Sequence, residues 1–106
     1  MSHRSALPEI GRLVEALRGR DRGSVFVVVG YDGEHFLWLA DGHRRPLEKP
    51  KRKNALHVRV TPGFAKEFTA QWGQSGKATN AQLRHAIHQY MLTQDTVQEV
   101  SEKGGR

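Results

Sequence analysis

Apolar and polar residues alternate with a period of two through roughly the first sixty positions and switch to a period near 3.6 beyond them, which predicts a β segment followed by a helical one. Residues 13–17 predict a short first strand, and Arg18-Gly19-Arg20-Asp21-Arg22-Gly23 predicts the loop after it. Residues 24–31 set Val25, Val27, Val29 and Tyr31 on one face and Phe26, Val28 and Gly30 on the other. Apolar side chains on both faces predict an interior strand of a small barrel or sandwich. Asp32-Gly33 predicts a two-residue type I′ hairpin turn. The strand it enters, residues 35–40, carries Phe36, Trp38 and Ala40 opposite Leu37 and Leu39. Asp41-Gly42 predicts a second turn, into a third strand of the meander at residues 44–47. Pro46 and Pro50 cannot donate to a ladder, so residues 48–54 read as an exposed connection or an irregular edge. Leu56, Val58 and Val60 alternate with His57 and Arg59, the signature of a half-buried fifth strand.

Beyond Thr61 the pattern is helical. Thr61 as N-cap and Pro62 at the first helical position predict a short helix with Phe64, Phe68 and Trp72 on one face, stopped by Gly73 and followed by a coil at 74–77. Thr79 and Gln82 have capping-box spacing, and Leu83, Ile87, Tyr90 and Met91 form a stripe, so a second helix is predicted over 80–92. Residues 93–106 are polar apart from Val97 and Val100 and read as a partly disordered tail. The fold class is mainly β with a C-terminal helix. Its divisions are a small barrel of about five strands at 10–60, a helical extension packed on it at 61–92, and the tail.

Charge sharpens this picture because it is local. The 106 residues carry 17 Lys and Arg against 11 Asp and Glu, a net charge of +6. Residues 44–53 hold Arg44, Arg45, Lys49, Lys51, Arg52 and Lys53 against Glu48 alone, so this one segment supplies +5 of that total. A polyanionic partner is the class such a segment favours. The chain has no cysteine, which removes disulfides, thiolate nucleophiles and Cys-based metal sites and fits a reducing, cytoplasmic setting. The longest apolar runs, at 25–29 and 36–40, are far short of the ~20 residues that cross a bilayer. Residues 1–12 lack an apolar stretch of signal-peptide length, so no export is expected.

The segment from Gly19-Arg20-Asp21-Arg22-Gly23-Ser24 through Val25-Phe26-Val27-Val28-Val29, with Phe36-Leu37-Trp38-Leu39-Ala40-Asp41-Gly42 after it, resembles a KOW motif, in which a charged glycine loop enters an alternating strand. The longer stretch to His57, including Arg44-Arg45-Pro46-Leu47 and Glu48-Lys49-Pro50-Lys51-Arg52-Lys53-Asn54, resembles the bacterial KOW-domain RNA-binding protein family, which is related to KOW-type large-subunit ribosomal proteins. The resemblance covers residues 10–60, and 79–86 more weakly. It implies an SH3-like barrel that binds RNA, ribosomal RNA or the large ribosomal subunit first of all, in translation or ribosome assembly; the chain is expected to be a monomer. Residues 61–78 match no motif of that family.

Phosphate binding needs cations on protruding backbone, which nominates Arg44, Arg45, Lys49, Lys51, Arg52 and Lys53, with Arg20 and Arg22 of the glycine loop added through the resemblance. Tyr31 and Trp38 are the candidates for stacking on unpaired bases, weighed against a simple place in the core. An alternative reading makes the chain a KOW-type protein-interaction module, with Phe64, Phe68 and Trp72 as an exposed anchor for a protein partner. His85 and His88 stand three apart on the second helix, but with no Cys or carboxylate ligand beside them they read as surface residues, and no metal or cofactor is expected. Asp32 and Asp41 are turn residues, and neither a GxSxG nor a GxxxxGK[ST] motif occurs, so the chain is not expected to be an enzyme.

Overall fold

In the computed structural model, which describes residues 7–72 and 78–104 with side chains to 94, five strands form one antiparallel sheet. They are β1 (Arg12–Ala16), β2 (Val25–Asp32), β3 (Phe36–Ala40), β4 (Lys51–Asn54) and β5 (Val58–Phe64), in the spatial order β4-β3-β2-β1-β5. Two helices follow, α1 (Lys66–Trp72) and α2 (Asn80–Gly104). Gly73 and the coil predicted at 74–77 lie outside the described residues.

The alternation of β2 and β3 does what an interior strand's must. Val27, Val29 and Ala40 join Leu13, Ala65, Phe68 and Leu83 in a cluster on the face covered by the helices. Phe26, Val28, Leu37 and Leu39 join Val14 and Ala16 in a second cluster on the other face. That second face is sheltered by curvature. β4 and β5 are the two edges of the sheet, yet only the single 3-10 turn Ala55–His57 joins them. Four residue steps reach at most about 14 Å, whereas the edges of a flat five-stranded sheet stand about 19 Å apart. The sheet therefore curls over Phe26, Val28, Leu37 and Leu39, with Ala55 and Val58 packed against them. Among the described residues no ladder pairs β4 with β5, so the sheet stays open rather than closing by hydrogen bonds.

Several local expectations are corrected. Asp32 pairs with Phe36, leaving a three-residue loop with Gly33 at φ +76°, and Asp32 keeps a negative φ that a type I′ turn does not allow. Residues 44–47, all described, form no strand. The Asp41 carboxylate accepts from the backbone N–H groups of His43 and Arg45, both at 2.8 Å, and Leu47 donates its N–H to Asn80 Oδ1 at 2.7 Å. Side chains thus take the donors a ladder would need. The strand forms one step later, at β4, on an edge where basic residues are well tolerated. Leu56 lies in the 3-10 turn and is 84% exposed, so the half-buried alternation predicted from it does not hold. Thr61 is not an N-cap but a buried β5 residue whose hydroxyl donates to the Leu13 carbonyl at 2.8 Å. Phe64 accordingly belongs to β5, and α1 begins at Lys66.

The capping box is present as predicted. Thr79 N–H donates to Gln82 Oε1 at 2.9 Å, and Gln82 N–H lies 3.3 Å from Thr79 Oγ1. Of the stripe, Leu83 is fully buried, Ile87 and Tyr90 pack at the margin of the core, and Met91 is exposed. The helix itself continues past the predicted end at 92, to Gly104.

Candidate functional site

Strand direction alone brings two separate loops together. Glu15 pairs with Val25, Val27 with Ala40, and Leu39 with Lys51, so loop 17–24 and loop 41–50 leave the sheet at the same end. Arg18, Arg20 and Arg22 stand on the first loop and Arg44, Arg45 and Lys49 on the second; all six are exposed and form no ion pair among the described residues. The structure thus adds Arg18 to the five predicted from sequence at this end, Arg20, Arg22, Arg44, Arg45 and Lys49.

The loops are held there by charge. In the ladder Lys51 and Lys53 oppose Leu39 and Leu37, on the concave face, so their aliphatic stems extend the inner core to its open edge. Their ammonium groups both meet Asp21. Lys51 Nζ lies 2.7 Å from Oδ2, and Lys53 Nζ lies 3.3 Å from Oδ1 and donates to the Arg18 carbonyl at 3.0 Å. The contact to Lys51 is an ion pair without hydrogen-bond alignment, and Asp21 Oδ2 has no other partner among the described residues. Burial pushes the Asp21 carboxyl up, but Lys51 and then Lys53 outweigh it and hold its pKa below the ordinary carboxylate value. Lys53 is 9% exposed. Lys51 and Lys53, chosen from sequence as phosphate ligands, therefore pin loop 17–24 to β4, and the acid between Arg20 and Arg22 is the pin's other half.

Arg52 points away from this cluster. Its Nε lies 2.5 Å from Asp32 Oδ2, and its guanidinium sits 3.7 Å from the centroid of the Phe36 ring. It stands toward the opposite end of the sheet. Tyr31 is there too, its hydroxyl donating to the Pro8 carbonyl at 2.8 Å, with burial and then the Glu9 charge raising its pKa. Neither joins the cationic end.

The second loop is anchored on α2. Asn80 accepts from Leu47 and donates to Glu48 at 3.2 Å, and Arg84 donates to the Gly42 carbonyl at 2.7 Å. Gly42 has φ +79°, and a Cβ there would lie 2.4 Å from the Asn80 carbonyl oxygen, so only glycine lets the loop approach the helix this closely. The two loops with Lys51 and Lys53 carry eight cations against three carboxylates, Asp21, Asp41 and Glu48. All three are occupied: Asp21 by the lysines, Asp41 by backbone N–H groups, and Glu48 by Asn80, whose hydrogen bond lowers its pKa.

Phe64, Phe68 and Trp72 do not form one exposed patch. Phe68 is fully buried, whereas Phe64, on β5 under the Arg12 guanidinium, and Trp72, on α1 with its ring 5.0 Å from that of Phe68, are 37% and 41% exposed. The anchor they were expected to offer a protein partner is thereby corrected, because the residue at its centre serves the core. His85 and His88 are exposed, and among the described residues no group of three or more His, Cys, Asp or Glu is placed to hold a metal ion. No described helix is long and apolar enough to cross a membrane. The chain matches no protein-family model, and a search of curated proteins finds no relative.

Proposed function

We propose that the protein binds structured RNA through the cationic end of its sheet, with ribosomal RNA as the narrower target that the resemblance to KOW-domain RNA-binding proteins implies. The observation that carries this reading is that loops 17–24 and 41–50 leave the same end of the sheet, which gathers there six cations without ion pairs among the described residues while the local carboxylates are occupied. Arginines and lysines on two separate loops meet phosphates on both sides of a groove, which positions an RNA by shape without reading its bases. With four to six phosphates neutralised, log K should fall against log salt with a slope of roughly −3 to −5.

The test is fluorescence anisotropy of a labelled RNA stem-loop across a salt series, with Arg44, Arg45 and Lys49 replaced together by Glu. Binding should weaken more than about tenfold, and the slope should flatten by roughly 0.9 for each phosphate that is no longer neutralised. Arg52→Gln, at the far end, should bind as the parent does. Affinity that ignores salt would overturn the reading. Crosslinking in cells would then say whether the RNA recovered is ribosomal.

A further inference from the structure

Both tryptophans of the chain line one small cavity, and it borders the cationic loop. Trp38 from β3, Val29 from β2, Leu47 and Pro50 from loop 41–50 and Trp72 from α1 line an open recess of about 250 Å³. This falls below the ~300–1,000 Å³ of pockets that take drug-sized ligands and suits a single flat ring system. Trp72 is 41% exposed at its rim while its ring packs 5.0 Å from that of buried Phe68, so part of the indole is presented to solvent. Leu47 and Pro50 flank Glu48 and Lys49, while Arg44 and Arg45 precede them on the same loop. An apolar slot walled by aromatics thus opens beside exposed cations.

We propose that this cavity is a nucleobase subsite, in which an unpaired base of the RNA stacks on Trp72 while Lys49, Arg44 and Arg45 hold the phosphates on either side of it. The proposal rests on the RNA reading above and narrows it: the preferred ligand is a stem-loop or bulged RNA with an extruded base, not a fully paired duplex. The chemistry is what unpaired-base recognition requires, an aromatic face for the base and cations for its backbone. Trp72 falls in the part of the chain that the KOW resemblance does not reach, and Trp38, named from sequence as a stacking residue, contributes as the inner wall.

The test uses the full chain, an RNA stem-loop bearing a single bulged purine, and a fully paired RNA duplex with the same number of phosphates. Because the only two tryptophans line the cavity, their fluorescence reports directly on occupancy. In a Trp38→Phe variant Trp72 is the sole emitter. The stem-loop should quench it and the duplex should not, and Trp72→Leu should bind the stem-loop about ten- to a hundredfold more weakly, the scale of one aromatic–base stack, while its duplex affinity stays unchanged. Trp72→Phe, which keeps a ring, should retain most of the affinity, and circular dichroism melting checks that each variant folds. Equal binding of both RNAs with no quenching would overturn the subsite and leave the phosphate-binding reading standing. If neither RNA binds, the RNA reading itself falls, and the subsite with it.

Discussion

Replacing Asp21 by alanine should cost the fold about 2–4 kcal/mol, far more than removal of an ordinary surface acid. The Asp21 and Lys53 side chains are 12% and 10% exposed, so their pair sits closer to the buried limit, where losing one partner costs ~3–5 kcal/mol, than to the exposed one, where it costs ~0–1. Lys51, at 25% side-chain exposure, can swing toward water and soften the loss. In a domain of this size such a change lowers the melting temperature by roughly 10–25 °C. Most of the cost is the stranded Lys53 ammonium rather than the missing attraction. Lys53→Met added to Asp21→Ala should therefore recover much of the stability, making the double variant more stable than the single one. Urea denaturation followed by circular dichroism would measure all three. A single variant within about 0.5 kcal/mol of the parent, or a double variant in which the losses simply add, would refute the argument that these three side chains form a half-buried unit.

Asp21 has its folded-state pKa below the ordinary value, so its stabilisation is complete above about pH 4 and is lost as pH falls through the folded value; Asp21→Asn should flatten that acid limb in melts taken between neutral pH and about pH 2. Gly42→Ala combines a left-handed φ with a clash on the Asn80 carbonyl, and should destabilise by more than about 2 kcal/mol in the same urea assay, where a near-neutral result would show that loop 41–50 is not held against α2. Thr79→Ala removes half of the capping box and should cost about 1 kcal/mol, with Thr79→Ser restoring it. For RNA, Arg20→Glu with Arg22→Glu should weaken stem-loop binding without changing the melting temperature by more than a few degrees; a loss of fold instead of affinity would place these arginines in structure.

The sheet's interior was legible because burial on both faces leaves an unbroken apolar record: Phe26 to Val29 and Leu37 to Ala40 read as strands and are strands. The capping box was legible because Thr79 and Gln82 act only on each other's backbone. β4 was not, since its inward positions are Lys51 and Lys53, and nothing in a period-two count says that a lysine stem covers an inner core while its ammonium reaches an acid about thirty residues earlier. The same fact divides the candidate site. Arg44, Arg45 and Lys49 kept the exposed cationic role their composition suggested, whereas Lys51 and Lys53 spend their charge on Asp21 and Arg52 spends its on Asp32. Thr61 misled for a related reason: a hydroxyl before proline signals a helix start only when the preceding strand does not need it to satisfy a carbonyl, and the Leu13 carbonyl does.

β4 also bears on how copies of the chain meet one another. An open edge strand offers a row of free backbone groups to any passing strand, and a curled sheet that stops short of closure keeps such an edge permanently. Here the edge reads Lys51-Arg52-Lys53-Asn54 and only Asp21 and Asp32 are paired to it, so a second copy docking strand to strand would bring together two edges that each keep a net positive charge. Like charges in opposed positions disfavour that pairing. Charge at the rim thus guards against self-association at the place where the backbone most invites it, and neutralising Arg52 would be the smallest change to put that protection to the test.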